Sequence, residues 1–500
     1  METTNIDFSS YIPTPEQAAV IVSGIVSMGL EIVAGRVLAP QFGSSIYTWG
    51  SIIGISMFAL SLGYHYGGKK SSNISSIDLD RFLVYTSFYI IALIYVGDTI
   101  LSWSAGLPVA QRYASIIPVS ILFGPPTYFL GYISPYAVQL SSKQVKGEAS
   151  GHFYAVGTAG SILGAFGTTF LLIPYLGVNQ IYILFAGLAF LPVMYELSDK
   201  RFLVAGVMLF AAVLVSSSGS LVPGDVVYSD STPYQDLKVT DNGNVRTLYL
   251  DEQPQSAMYL DDTPGYPWDY PDYFHLPLMM QNDVDKVLFI GGGGFTVPQK
   301  FAEENITVHT VEIDPGVIEA AEKNFNLSES DNLKVYNSDG RQFLQQSNHT
   351  YDVIYLDAYR KSKVPFHLTT QEFMELTYRK TDENGMVVSN VISAAEGSGS
   401  KFARSQYKTM DSVYESVYYF PTNQKLSQVQ NIEIIASKEP MMTEQQLLKR
   451  NNNYSGINLS EQIRNLNEAP VTDDVPLLRD DYAPVNRLIE PIVGREYILE

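Results

Sequence analysis

Four short stretches in the second half of this 500-residue chain close on side chains able to do chemistry. "KVLFIGGGG" ends in Gly291, Gly292, Gly293 and Gly294, "TVHTVEID" carries Glu312, "LKVYNSDG" ends in Asp339 and Gly340, and "DVIYLDAY" carries Asp357. Glycines after an apolar run permit a tight turn and let a ligand approach the backbone closely. Glu312 stands 21 residues after Gly291, where a carboxylate can accept both hydroxyls of a ribose. Asp339 and Gly340 suit the rim of an adenine. Together these residues describe a nucleoside pocket with one acid, Asp357, left for chemistry. The glycine run alone is weak evidence, because a nicotinamide site would show GxGxxG and the third position here is Thr296. The plainer readings are a simple tight turn, and an Asp357 that caps the next segment or pairs with Arg360.

The elements that must position these residues follow from the pattern. From residue 286 strand-like and helix-like runs alternate, which implies βαβ units and a mostly parallel sheet covered by helices. Ligands bind outside the carboxyl ends of such strands, where the four stretches end. The expectation is an α/β Rossmann-like domain over 286–500. The alternating runs "QDLKVTDN" and "VRTLYLDEQPQSAMY" predict a small antiparallel β region at 226–285. The polar stretch "SSSGSLVPGD" (216–225) reads as a linker.

Residues 1–217 read as an α-helical transmembrane bundle. Apolar stretches lie near 17–40, 46–66, 82–103, 114–140, 152–174, 178–196 and 202–217; a hydrocarbon core needs about 20 apolar residues per helix, so about seven helices are expected, the last one short. The first stretch is too long for a cleavable signal peptide and is followed by more of its kind. Gly160 and Gly164, flanked by Gly157 and Gly167, form a small-residue face for close helix contact. Pro125 and Pro126 predict a kink or break in the fourth span. Glu31 and Arg36, five residues apart, sit on poorly matched faces of the first span, and a buried structural contact is favoured over a transport role.

The positive-inside rule places the loops carrying Lys69, Lys70, Arg81, Lys143, Lys146, Lys200 and Arg201 in the cytoplasm. Seven spans would then send the second half outside, whereas a nucleoside would normally be met inside. The expectation is a multi-pass protein of the cell membrane, in contact with the lipid bilayer, with the cytoplasmic side favoured for the second half. Five Asn-x-Ser/Thr sequons, at Asn305, Asn326, Asn348, Asn453 and Asn458, would matter only if that half is external.

Charge is distributed unevenly. Residues 1–220 hold ten acidic and nine basic side chains, so the net charge of −20 lies almost wholly beyond them. That excludes a nucleic-acid partner, which would require clustered Lys and Arg, and suits a solvated acidic surface or a cationic ligand. There is no cysteine and there are only six histidines, none in an HxxxH pair, so no metal is expected.

With these residues in place, the second half resembles the spermidine synthase (polyamine aminopropyltransferase) family, in the variant fused to an N-terminal multi-span region. The likeness runs from about Tyr234 to Ile392 and more loosely to "DDYAPVNRL" at 480–488. "YQDLKV" resembles the family's YQDI segment, which implies a co-substrate contact for Gln235. "LYLDEQPQS" resembles LxLDGxxQ and implies a substrate contact for Gln255. The same resemblance implies that Gly291, Gly293, Glu312, Asp339 and Gly340 bind the nucleoside and that Asp357 contacts the substrate and accepts a proton. It also implies a fold of the S-adenosylmethionine-dependent methyltransferase type and decarboxylated S-adenosylmethionine as co-substrate, with no tightly bound cofactor. Two departures stand out: the family's GGGDGG and DSSDP each lose an acid, at Gly294 and Arg360. Each charge-assisted contact is worth about 1.5–3 kcal/mol, so losing both weakens diamine recognition by about two to four orders of magnitude unless something replaces them.

The implied activity is aminopropyl transfer to a small-molecule amine by a membrane-anchored enzyme, for which a homo-oligomer is compatible. Two alternatives stay open: methyl transfer from S-adenosylmethionine itself, and a non-catalytic nucleoside-sensing domain linked to a membrane transporter.

Overall fold

The computed structural model describes residues 13–42, 46–109, 111–141, 146–195, 222–232, 234–281, 283–359, 364–492, 495 and 497. The chain divides into two compact units, Met1–Gly219 and Ser220–Glu500.

In the first unit α1 (Pro15–Phe42), α2 (Ile46–Lys70), α3 (Ser76–Ala105) and the stretch Ser150–Leu172 are long and apolar enough to cross a membrane. The fourth expected span is broken, as its prolines predict: Arg112–Leu122 and Gly124–Leu140 meet at a 52° bend. Pro125 and Pro126 occupy the first turn of the piece that starts at Gly124, where a missing N–H breaks no intrahelical bond. The stretch expected at 178–196 forms Val178–Tyr195, 18 residues, or about 27 Å at 1.5 Å per residue, just short of a ~30 Å hydrocarbon core. Among the described residues, six of the expected stretches are thus helical: four of spanning length, one bent pair and one shorter helix. The seventh expected span, 202–217, lies outside the described residues.

The glycine face works as expected. A Cβ on Gly160 or Gly164 would strike the carbonyl oxygen of Ile21 or Ile25, and one on Gly24 would strike that of Gly157, so α1 and the helix Lys146–Gly167 touch backbone to backbone. Toward the end of α1, Arg36 donates to the carbonyl oxygen of Ile173 at 3.2 Å.

The second unit holds two sheets. β1 (Asp225–Ser231), β2 (Asp236–Asn242), β3 (Val245–Leu250) and β4 (Gln253–Tyr259) form an antiparallel sheet in that order. Alternate residues such as Leu237 and Val239 are fully buried, the period-two pattern of a one-faced sheet. The larger sheet comprises β5 (Lys286–Ile290), β6 (Thr307–Glu312), β7 (Leu333–Asn337), β8 (Tyr351–Leu356), β9 (Thr381–Ser393), β10 (Ser416–Pro421) and β11 (Gln430–Ser437). Its order is β10-β11-β9-β8-β5-β6-β7. β5 to β9 pair in parallel, while β11 runs antiparallel to both β9 and β10. This is the Rossmann-like, methyltransferase-type arrangement.

Both faces of the large sheet are covered. Val287, Phe289 and Tyr355 pack in one core and Leu288, Ile290 and Leu356 in the other, which explains why β5 and β8 read as continuous apolar runs. The chain order reverses between β5 and β8, and the crevice at a reversal point lies outside the carboxyl ends of the strands. The glycine turn and Asp357 stand at that point.

Candidate active site

The turn after β5 is shaped by its glycines. Gly291 has φ +102° and Gly293 φ +50°, backbone conformations that a side chain disfavours. A Cβ on Gly291 would also collide with the main-chain carbonyl of Asp357. The β5 and β8 ends therefore touch directly, and Asp357 N donates to the Ile290 carbonyl at 2.9 Å. Gly294 is walled in by Phe325 and Ser256, each 3.0 Å from where a Cβ would sit, so the turn has little room for the acid that the resemblance would place there.

Glu312 closes β6 and reaches back under the turn. Its two carboxyl oxygens accept from Gly292 N and Asp314 N, both at 2.9 Å. It is 8% exposed, and burial raises its pKa, against the pull of those N–H bonds toward the charged form. Asp314, wholly buried, caps the helix Pro315–Asn324 by accepting from Gly316 N. Its other oxygen accepts from Gln235 Nε2 at 2.9 Å and Thr232 Oγ1 at 2.7 Å. Gln235 is thereby tied beneath the β6 end, next to Glu312's partner.

Asp339 caps the helix Gly340–Gln346 through Gln342 N and meets His367 Nε2 at 2.9 Å. His367 is fixed through its carbonyl, which accepts from Arg341, itself paired with Asp480. A Cβ on Gly340 would strike Ile290, so that glycine lets the helix settle on β5.

Asp357 keeps a solvent-accessible edge, yet the protein packed round it pushes its pKa up to about 7, with the charge of Glu312 adding to the rise and a bond from Asn390 opposing it. That bond, Asn390 Nδ2 to Asp357 Oδ1, is 2.8 Å. Asn390 Oδ1 accepts from Asn431 Nδ2 at 2.6 Å, and Asn431 Oδ1 accepts from the Tyr497 hydroxyl at 2.5 Å. The carboxyl is thus held at the end of a chain of two amides and a phenol. Tyr270 is buried beside it, within reach of its charge, and donates to the main-chain oxygen of Gln255 at 3.3 Å. Gln255's own amide turns back to the Pro254 carbonyl. Arg360, the expected alternative partner of Asp357, lies outside the described residues.

The expected residues therefore gather on one edge of the sheet: Gly291, Gly293, Glu312, Asp339, Gly340 and Asp357 at four successive strand ends, with Gln235 bound to Asp314 and Gln255 joined through its main chain to Tyr270. Asp314, His367, Asn390, Asn431, Glu433, Tyr270 and Tyr497 were not expected from sequence. Among the described residues no cluster of three or more metal-ligating side chains occurs.

Residues 272–445 match the sequence model of the spermine/spermidine synthase domain. A polyamine aminopropyltransferase of Vibrio vulnificus is 28% identical over 306 residues, covering 56% of this chain and 98% of that protein. One from Chromobacterium violaceum is 29% identical over 160 residues, covering 31% of this chain and 61% of that protein. Among solved structures, a probable spermidine synthase from Corynebacterium glutamicum aligns over 46% of this chain and 86% of its own at 17% identity and a TM-score of 0.40. The spermidine synthase from Thermotoga maritima aligns over 47% and 79% at 18% identity and 0.38.

Proposed function

For a chain whose residues 272–445 match the spermine/spermidine synthase domain, we propose that the second unit is an aminopropyltransferase tethered to a membrane. It would take decarboxylated S-adenosylmethionine and an amine, and release methylthioadenosine. The observation that carries this reading is Asp357: an accessible carboxyl at the β5/β8 reversal point, oriented by Asn390 and with a pKa of about 7, the range in which a general base works best near neutrality.

In the reaction an amine nitrogen forms a bond to the propyl carbon next to the sulfonium, and the bond from that carbon to sulfur breaks. Sulfur leaves as a neutral thioether, so it needs no acid. The nitrogen becomes positively charged and gives up one proton, which Asp357 accepts. The rest of the site supplies alignment, the larger share of the rate in such a transfer. Glu312 would hold the ribose hydroxyls, Asp339 and Gly340 would border the adenine, and the exposed backbone of Gly291 and Gly293 would lie against the nucleoside. Gln235 would act through Asp314, and Gln255 beside Tyr270 would border the acceptor.

The four helices of spanning length in the first unit support anchoring in a lipid bilayer, and the need for a cytosolic nucleoside favours the cytoplasmic side for the second unit. Methyl transfer is the second reading, favoured by one observation: with glycine at 294, where Phe325 and Ser256 already crowd the turn, the site lacks an acid that would repel an intact methionine carboxylate.

Product analysis decides between them. Full-length protein in detergent, given both nucleosides and a set of amines, is expected to form methylthioadenosine; S-adenosylhomocysteine in its place overturns aminopropyl transfer. The nucleoside site has its own test. Glu312→Gln sets an amide N–H against a backbone N–H and loses acceptors for the ribose. Methylthioadenosine affinity should fall about 10- to 100-fold by calorimetry, as expected when one or two hydrogen bonds to a charged group are lost.

A further inference from the structure

We propose that Glu433 is the second anchor for the acceptor amine, binding a distal ammonium while Asp357 serves the attacking nitrogen, so that the enzyme selects diamines over monoamines. This rests on the aminopropyltransferase reading and deepens it.

Strand register carries the argument. Leu356 on β8 pairs with Ser389 on β9, so Asp357 follows alongside Asn390. Asn390 in turn pairs directly with Glu433 on β11. Asp357, Asn390 and Glu433 thus form a row across three neighbouring strands, and directly paired residues project from the same face. The bond from Asn390 to Asp357 confirms the orientation at one end of the row. At the other end Glu433 is 0% exposed, and neither of its carboxyl oxygens has a hydrogen-bond partner among the described residues.

An acid enclosed without a partner costs stability, and on its own face of the sheet Glu433 stands between Asn431 and Ile435 on β11 and opposite Phe420 of β10, all buried and none offering it a charge. Burial, reinforced by the charge of Asp357, holds its pKa well above the ordinary carboxylate range. An arriving cation would favour its ionised form. Reaching it takes a local shift of the tyrosines around it, of which Tyr270, Tyr273 and Tyr497 lie within its electrostatic range.

The spacing fits a diamine. Two strand spacings of roughly 4.8 Å separate the ends of the row by about 10 Å. A four-carbon diamine built of roughly 1.5 Å bonds spans about 6 Å between its nitrogens, and a charged hydrogen bond of about 2.8 Å at each end brings its reach to about 12 Å, within the freedom that the two side chains add to the backbone separation. Glu433 thereby supplies, from a different strand, the negative charge that the replacements at Gly294 and Arg360 remove.

The test uses the full-length protein in detergent saturated with methylthioadenosine, titrated calorimetrically with 1,4-diaminobutane and with butylamine. The wild type should prefer the diamine by about 10- to 100-fold, Glu433→Gln should bring the ratio close to one, and Glu433→Asp, which keeps the charge, should restore part of it. A wild-type ratio near one, or a ratio unchanged in Glu433→Gln, overturns the proposal. Methylthioadenosine release is read in parallel. Glu433-dependent diamine binding without product keeps the anchor and overturns the transfer reading, whereas product formation indifferent to Glu433 keeps transfer and overturns the anchor. A melting curve confirms that each variant is folded.

Discussion

Asp357→Asn should lower kcat/KM for methylthioadenosine release by roughly 100- to 10,000-fold, the range that a positioned general base contributes, while nucleoside affinity stays close to wild type. The asparagine keeps an oxygen to accept from Asn390, so the geometry of the row survives and only proton uptake is lost. In the wild type the base must be ionised, and its pKa lies about 7. The rate should therefore fall as pH drops through neutrality, and this limb should vanish from the residual activity of the variant. Stability should move the other way. A carboxyl with a pKa near 4 in the unfolded chain and about 7 in the folded one binds its proton more tightly when folded. Its destabilising effect grows as pH rises from about 4 to about 7 and is complete above that. The variant should melt several degrees higher than wild type at pH 8 and nearly level with it at pH 4. A residue kept for the fold would not show slower turnover together with higher melting temperature.

Gly291→Ala should be the most damaging single methyl group in the second unit. At φ +102° an alanine is strained by about 1–3 kcal/mol, and its Cβ would sit against the Asp357 carbonyl, where overpacking adds about 1–3 kcal/mol. For a domain of this size each kcal/mol moves the midpoint by about 2–4 °C, so thermal unfolding followed by near-ultraviolet circular dichroism should show a fall of roughly 5–15 °C. Whatever relaxation relieves the clash moves the main chain that carries Asp357, so turnover should drop further than stability alone explains. Unchanged melting and turnover would mean that the two strand ends are not in contact.

What could be read from the sequence was what local pattern controls. Strand ends in an α/β region are visible as apolar runs closing on glycine or acid, which is how Glu312, Asp339 and Asp357 were found. Spacing alone exposed the Gly160/Gly164 face, and Pro125 with Pro126 located the bend. Glu433 gave no such signal. "QNIEIIAS" reads as a buried strand with one acid in it, and its value comes from pairing with Asn390, 43 residues earlier, a register that no local window contains. Asn431 and Tyr497 are hidden for the same reason. Gln235 was found by resemblance, but its bond to Asp314 depends on how the small sheet lies against the helix Pro315–Asn324. The first six apolar stretches were legible because each falls on a helix, and Val178–Tyr195 starts where its stretch does but runs only 18 residues.

The amides behind Asp357 also govern where its proton can go. Asparagine side chains neither gain nor lose hydrogen ions near neutrality, so Asn390 and Asn431 can steer the carboxylate but cannot drain it into the interior. In the proposed reaction the proton must leave by the same mouth that admits the nucleophile. Discharge of the base is then tied to the departure of product, and solvent isotope effects should surface in the release step as well as in bond making.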